Sequence, residues 1–142
     1  MTMTWLKILT FSASVVIFTS CAPTEPSHQE TLLGLAAAQS KVSAAVHSAV
    51  RYKEPSPDLA DSELLDFATA HNPNLLNAFK GYVLKARQDG RNSSVLLCDA
   101  QGQTALIEDA GCTSSLDQHI WKTQPGHACG YVIDLAAICP PP

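Results

Sequence analysis

Residues 94–107 read Ser-Val-Leu-Leu-Cys-Asp-Ala-Gln-Gly-Gln-Thr-Ala-Leu-Ile, two short apolar runs on either side of turn-forming residues. The runs cover 94–98 and 104–107, and the segment 99–103 between them carries the aspartate and glycine that tight turns favour. This arrangement is typical of a β-hairpin. A further run rich in β-branched and aromatic residues, Tyr131 to Leu135, predicts a third strand. We therefore expect a small antiparallel sheet in the C-terminal part of the chain.

The chain before this hairpin has helical periodicity. Apolar residues recur three or four positions apart over 29–51, and Ser27 with Glu30 has the spacing of a capping box, so this segment predicts a helix. The sequence Glu54-Pro-Ser-Pro-Asp ends that helix. A second, short helix is expected over 61–71.

A third helix is expected directly afterwards. Asn72-Pro73 ends the second helix and begins the next, with proline at the first helical position. The amphipathic pattern then continues over 73–88, and Asp89-Gly90 supplies a glycine suited to a helix C-terminus. The predicted fold class is α+β, with a helical part over 29–90 and a β-rich, disulfide-tied part over 91–142. One helical turn is also expected at 115–121.

Length and charge limit the function classes. The chain has 142 residues, which is enough for one domain with a modest core. Its formal net charge is −4, so the chain has no general attraction to nucleic acid.

Five cysteines are present, and four of them lie close together near the C-terminus. Cys98, Cys112, Cys129 and Cys139 can form two disulfides in three ways, and the sequence does not choose among them. We favour Cys98 with Cys112 and Cys129 with Cys139, since each pair closes a short local loop. The fifth cysteine is Cys21.

The first 20 residues have the features of an export signal. Lys7 precedes an apolar run from Ile8 to Phe18, which is shorter than the roughly 20 residues that a membrane-spanning helix needs. The sequence Phe18-Thr19-Ser20-Cys21 resembles the lipobox of bacterial lipoproteins. That resemblance implies cleavage before Cys21, a diacylglyceryl group on its sulfur, and a further acyl chain such as palmitate on its amine. Several acyl chains are consistent with stable anchoring, because one chain binds membranes only marginally.

The alternative is an ordinary secretory signal that is cut after Ala22 and yields a soluble secreted factor. Five cysteines would then leave one unpaired, whereas lipid on Cys21 leaves an even set. We therefore divide the chain into a signal peptide (1–20), a lipidated cysteine with a short tether (21–28), and one small periplasm-facing domain (29–142). The lipoprotein resemblance also favours the outer over the inner membrane, because Ala22 stands where an aspartate would retain many such proteins. The segment 95–121 further looks like the C-terminal module of small proteobacterial lipoproteins of unknown role.

Some cysteine, histidine and acidic residues could carry chemistry or could have structural roles. Cys112, His119, His127 and Cys129 are ligand types that zinc prefers, but their spacing fits no familiar site, and in an oxidising compartment these cysteines favour disulfides. Glu108 and Asp109 are adjacent on an expected strand and would face opposite sides. The chain has no C-x-x-C, G-x-S-x-G or H-E-x-x-H motif, and no cofactor is predicted.

The sequence therefore predicts a non-enzymatic, membrane-anchored module that binds or positions another envelope component. A small metal-dependent or hydrolytic enzyme using Cys112, His119 and His127 is the alternative.

Overall fold

The computed structural model describes residues 28–112 and 127–139. It confirms the α+β class, with helices first and an antiparallel sheet after them. The elements in chain order are α1 (His28–Lys53), α2 (Asp61–Thr69), a 3₁₀ helix (Pro73–Phe79), β1 (Val83–Asp89), β2 (Asn92–Cys98), β3 (Ala105–Gly111) and α3 (Leu135–Ile138). The first two helices lie where the periodicity predicts them. The turn expected at 115–121 lies outside the described residues.

The sheet has the order β1-β2-β3, and both neighbouring pairs are antiparallel. The predicted hairpin of residues 94–107 is present as β2 and β3. In its connecting loop the Asp99 carboxylate accepts the Gln103 N–H at 2.7 Å, and this bond holds the pKa of Asp99 below its usual range. Gly102 follows with a φ of +65°, the left-handed conformation that favours glycine.

The predicted third helix over 73–88 is wrong in its second half. The helical turn ends at Phe79, Gly81 takes a φ of +87°, and the chain continues as β1. Asp89 pairs directly with Asn92, so Asp89-Gly90 begins a two-residue hairpin loop and does not close a helix. Gly90 occupies the first central position of that loop with a φ of +57°. The β-rich part of the chain therefore begins at residue 83 and not at 91.

The two long helices cover one face of the sheet. α1 contacts β2 and β3, while α2 contacts α1 and β1. The side chains between them form the main apolar core, whose fully buried members include Val42, Val46, Leu64, Val95 and Leu97. Burial of each such side chain contributes about 1.5–3 kcal/mol to folding.

A polar stripe on α1 faces the same sheet. Gln39, Ser43 and His47 recur every four residues and are all buried. The Gln39 side-chain amide donates to the carbonyl oxygens of Val95 at 2.8 Å and Ile107 at 3.2 Å. One side chain of α1 therefore contacts the backbones of two strands, which fixes the position of the helix along the sheet.

His47 fixes the same helix about two helical turns further along α1. Its Nδ1 lies 3.4 Å from the Ser93 hydroxyl, and its ring lies against the backbone of Gly111. A Cβ atom at Gly111 would lie 2.6 Å from the His47 Cγ, which is closer than such atoms approach. Glycine is therefore required at this position by the approach of the imidazole.

Gly111→Ala is expected to destabilise the fold by roughly 1–3 kcal/mol, because the added methyl group overlaps the buried His47 ring. Urea unfolding measures the difference. Gly34→Ala is the matched control, since Gly34 is exposed on α1 with no atom within 4 Å of an added Cβ, and a helical glycine replaced by alanine gains about 0.5–1 kcal/mol. Equal effects of the two substitutions would contradict this packing.

Candidate functional site: a disulfide-pinned strap on the sheet

All four C-terminal cysteines form disulfides, but not in the predicted pairs. The bonds join Cys98 to Cys129 and Cys112 to Cys139, with Cα–Cα distances of 5.7 and 5.0 Å. The predicted Cys98–Cys112 pair is excluded by the β2–β3 register, in which Cys98 lies opposite Ala105 and the residue before Cys112 lies opposite Ser93. Six residues at roughly 3.3 Å each separate the two cysteines by about 20 Å, whereas a disulfide needs Cα atoms within about 7 Å.

The two bonds hold residues 128–139, which we call the strap, across the sheet face opposite the helices. Cys129 is fixed at one end of β2, and Cys139 is fixed beside the other end of the hairpin, after β3. Between these points the strap buries Ile133 and Leu135 against Ala110 in a second, small apolar cluster. The sheet is therefore covered on both faces, by helices on one and by the strap on the other.

The carboxylate of Glu108 lies at the centre of this contact and is 1% exposed. It accepts the Ser94 hydroxyl at 2.9 Å, the Val132 N–H at 2.9 Å and the Ile133 N–H at 3.2 Å. A buried carboxylate requires such donors, because removing it from water without them costs several kcal/mol. Glu108 thus joins β2, β3 and the strap through one side chain.

Arg87 reaches the same carboxylate from β1. Its guanidinium lies 3.7 Å from Glu108 Oε1, donates to the Ile133 carbonyl oxygen, and lies 4.4 Å above the centre of the Tyr131 ring. Because Arg87 is about one-third exposed, we assign the ion pair only a modest energy and regard the arginine chiefly as a positioning contact for the strap.

The strap also contacts the helical layer. The Tyr131 hydroxyl donates to the carboxylate of Asp61 on α2 at 3.4 Å, and burial raises the pKa of Tyr131 well above its usual value. The helix α2 and the strap lie on opposite faces of the sheet. The contact between Tyr131 and Asp61 therefore passes around the outer edge of β1. An edge strand that is covered in this way is protected from pairing with other chains.

The predicted strand at Tyr131 to Leu135 is wrong, and the backbone contacts show why. The N–H groups of Val132 and Ile133 bind a carboxylate and not a neighbouring strand. Asp134 then accepts the N–H groups of Ala136 and Ala137 and so begins the short helix α3.

The alternative metal site is contradicted at both cysteines. Cys112 and Cys129 belong to two different disulfides, so neither offers a thiolate. His119 lies outside the described residues, and His127 uses its backbone carbonyl to accept the Ala105 N–H. Within 28–112 and 127–139, no group of three or more histidine, cysteine or acidic side chains has the arrangement of a metal site.

The sequence did not identify Glu108 as a central residue, although its expected orientation relative to Asp109 is confirmed. Asp109 lies opposite Val95 and faces the helices, whereas Glu108 faces the strap. The available signal was two acidic residues between Ile107 and Ala110 in an otherwise apolar strand. Glu108 and Asp109 are both buried, at 1% and 5% exposure, and this burial indicates a structural role.

An open cleft of about 430 Å³ lies at the C-terminal end of α1. It is lined by Val50, Glu54, Pro55, Pro57, Gln88, Asp89, Gly90 and Arg91. Its charged side chains have both signs, and Glu54 holds a left-handed backbone with a φ of +46°. Arg91 donates to the Arg51 carbonyl oxygen at 3.3 Å and so satisfies one terminal carbonyl of α1.

Comparisons with known proteins give no family for the chain. No protein-family model matches it, and no match is found among the curated proteins or the solved structures. In the part of the chain that the structure describes, no helix combines the length and apolar character needed to cross a bilayer.

Glu108→Ala is expected to lower the free energy of unfolding by roughly 2–4 kcal/mol, because the buried N–H of Ile133 and the part-buried N–H of Val132 lose their acceptor. Ser94→Ala is the control, since it removes one donor to the same carboxylate, leaves the strap contacts intact and should cost about 1 kcal/mol. Urea unfolding gives both values, and hydrogen exchange at Val132 and Ile133 localises the effect. Equal stability of the two variants, with unchanged exchange at these amides, would disprove the central role of Glu108.

Proposed function

We propose that the chain is a cell-envelope lipoprotein whose periplasm-facing domain is a non-enzymatic binding or accessory module. Residues 1–20 would be removed, and lipid on Cys21 would hold the domain at the membrane. The observation that carries the proposal is the pairing of the cysteines. Of the five cysteines in the sequence, four pair with one another, so no other cysteine is left to form a disulfide with Cys21.

The disulfides support an exported protein as well. Structural disulfides form and persist in oxidising compartments such as the bacterial periplasm. In this domain they hold the strap over a small apolar cluster, where a larger core would otherwise be needed. This use of cysteine favours export, as the apolar leader before Cys21 does.

The open cleft lies at the end of α1 that is farther along the chain from the proposed anchor. Gln39 lies over Val95 and His47 lies over Ser93, so α1 runs antiparallel to β2. The seven residues 21–27, from the lipidated cysteine to the start of α1, span about 20 Å at roughly 3 Å per residue. The far end of α1, where the cleft lies, is about 39 Å from its start at 1.5 Å per residue over 26 residues. An anchored domain could therefore offer this cleft to another envelope component.

A hydrolytic alternative has one observation in its favour, the 3.4 Å contact between the Ser93 hydroxyl and His47 Nδ1. Asp109 shares the same sheet face. These three side chains are exposed by 0, 1 and 5%, because α1 covers them, so a substrate would have to displace the helix. Their enclosure favours a structural role.

Expression of the full chain in a Gram-negative host tests the anchor. The mature protein should fractionate with membranes, begin at Cys21 and carry acyl chains on that residue, which intact-mass and palmitate-labelling measurements detect. Cys21→Ser should lose the acyl mass and leave the membrane fraction or remain as an uncleaved precursor, because serine cannot form the thioether. Thr24→Ser in the same tether is the control and should behave as the wild type. A mature, unacylated protein that begins after Ala22 would instead establish the secreted factor.

A further inference from the structure

The two disulfides differ in how open they are to solvent. Cys112 and Cys139 are 6% and 7% exposed and lie within the small apolar cluster with Ile133 and Leu135. In the other bond Cys98 is fully buried, but Cys129 is half-buried at the start of the strap. Of the four disulfide-bonded cysteines, Cys129 is therefore the one that is partly exposed to solvent.

Among residues 28–112 and 127–139, the neighbours of Cys129 leave room for an approaching molecule. Ala128 is exposed, and Gly130 has no side chain. Within these ranges, a Cβ atom built at Gly130 would meet no atom closer than the Ala128 carbonyl oxygen at 4.0 Å. Access is a main determinant of which disulfide sulfur a thiolate attacks.

We propose that Cys129 is a site of thiol–disulfide exchange, at which a dithiol reductant opens the Cys98–Cys129 bond while the domain stays folded. The reductant thiolate attacks the Cys129 sulfur, and a mixed disulfide forms. The electron pair of the broken bond leaves on the Cys98 sulfur, which then takes up a proton. The second thiol of the reductant attacks the reductant's own sulfur in the mixed disulfide, releases Cys129 as a thiolate, and leaves the reductant as a disulfide two electrons more oxidised.

The backbone around Cys129 allows this exchange without unfolding. The Cys129 N–H donates to the Gln103 carbonyl oxygen at 2.7 Å, and the Ala105 N–H donates to the His127 carbonyl oxygen at 3.1 Å. These bonds keep the start of the strap beside β3 after the disulfide opens. The Glu108 contacts and the Cys112–Cys139 bond hold the rest of the strap.

The second disulfide is expected to behave differently. Both of its cysteines are buried in the small apolar cluster between the strap and the sheet, so a thiolate reaches them only after the strap lifts from the sheet. Reduction is therefore stepwise, with Cys98–Cys129 opening from the native state and Cys112–Cys139 opening through a partly unfolded state.

Timed exposure of the folded full-length protein to dithiothreitol, followed by alkylation and peptide mass mapping, tests the order. Cys98 and Cys129 should be labelled at least about tenfold faster than Cys112 and Cys139, with a rate proportional to reductant concentration, as expected for attack on a native state. Reduction of both bonds at one common rate, independent of reductant concentration, would overturn the proposal, as would earlier reduction of Cys112–Cys139.

A substitution next to the attacked sulfur gives a second readout. Gly130→Val places a branched side chain beside Cys129 and should slow the opening of Cys98–Cys129 several-fold, with little change in the reduction of Cys112–Cys139. Gly34→Ala, far away on α1, is the control and should leave both rates unchanged. An unaltered Cys98–Cys129 rate in a folded Gly130→Val protein would show that attack does not occur at Cys129.

Discussion

The buried carboxylate of Glu108 is the interaction on which the arrangement of the C-terminal part depends. An anion at 1% exposure must be surrounded by donors, and a three-stranded sheet alone supplies too few. Ser94 provides one hydroxyl from the neighbouring strand, and the strap provides two N–H groups. The strap must therefore lie over β3 beside Glu108. Its backbone N–H groups bind this side chain, whereas those of a fourth strand would bind a neighbouring strand.

The other face of the sheet is organised by polar contacts as well. Gln39 donates to two strand carbonyls, and His47 occupies the space that Gly111 leaves open. These contacts fix the register of α1 along β2 and β3, while the apolar residues around them supply most of the burial energy. Because the domain is small, the core on each face of the sheet is small as well. The apolar cluster alone would hold the strap only weakly, and the disulfides limit the conformational freedom of the strap.

Local signals predicted much of this fold. The hairpin of β2 and β3 follows from two apolar runs on either side of a turn that contains Asp99 and Gly102, and α1 and α2 follow from helical periodicity. The segment 83–89 was misassigned because its pattern also suits a helix and because Asp89-Gly90 serves equally as a helix end or a hairpin turn. The predicted cysteine pairing was wrong for a different reason. The actual pairing depends on the strand register and not on the distance between cysteines along the sequence. Glu108 was visible as an acid in an apolar strand, but its partners lie 24 and 25 residues away and no local pattern links them.

The same strap bears on the proposed function, because its disulfides use four of the five cysteines and leave Cys21 as the cysteine for the proposed lipid. Disulfide mapping of the oxidised protein, by proteolysis without reduction and mass spectrometry of the linked peptides, tests this path of the chain most directly. We expect linked peptides that contain Cys98 with Cys129 and Cys112 with Cys139. Linkage of Cys98 to Cys112 and of Cys129 to Cys139 would contradict it, since the strap could then not cross the sheet over Glu108.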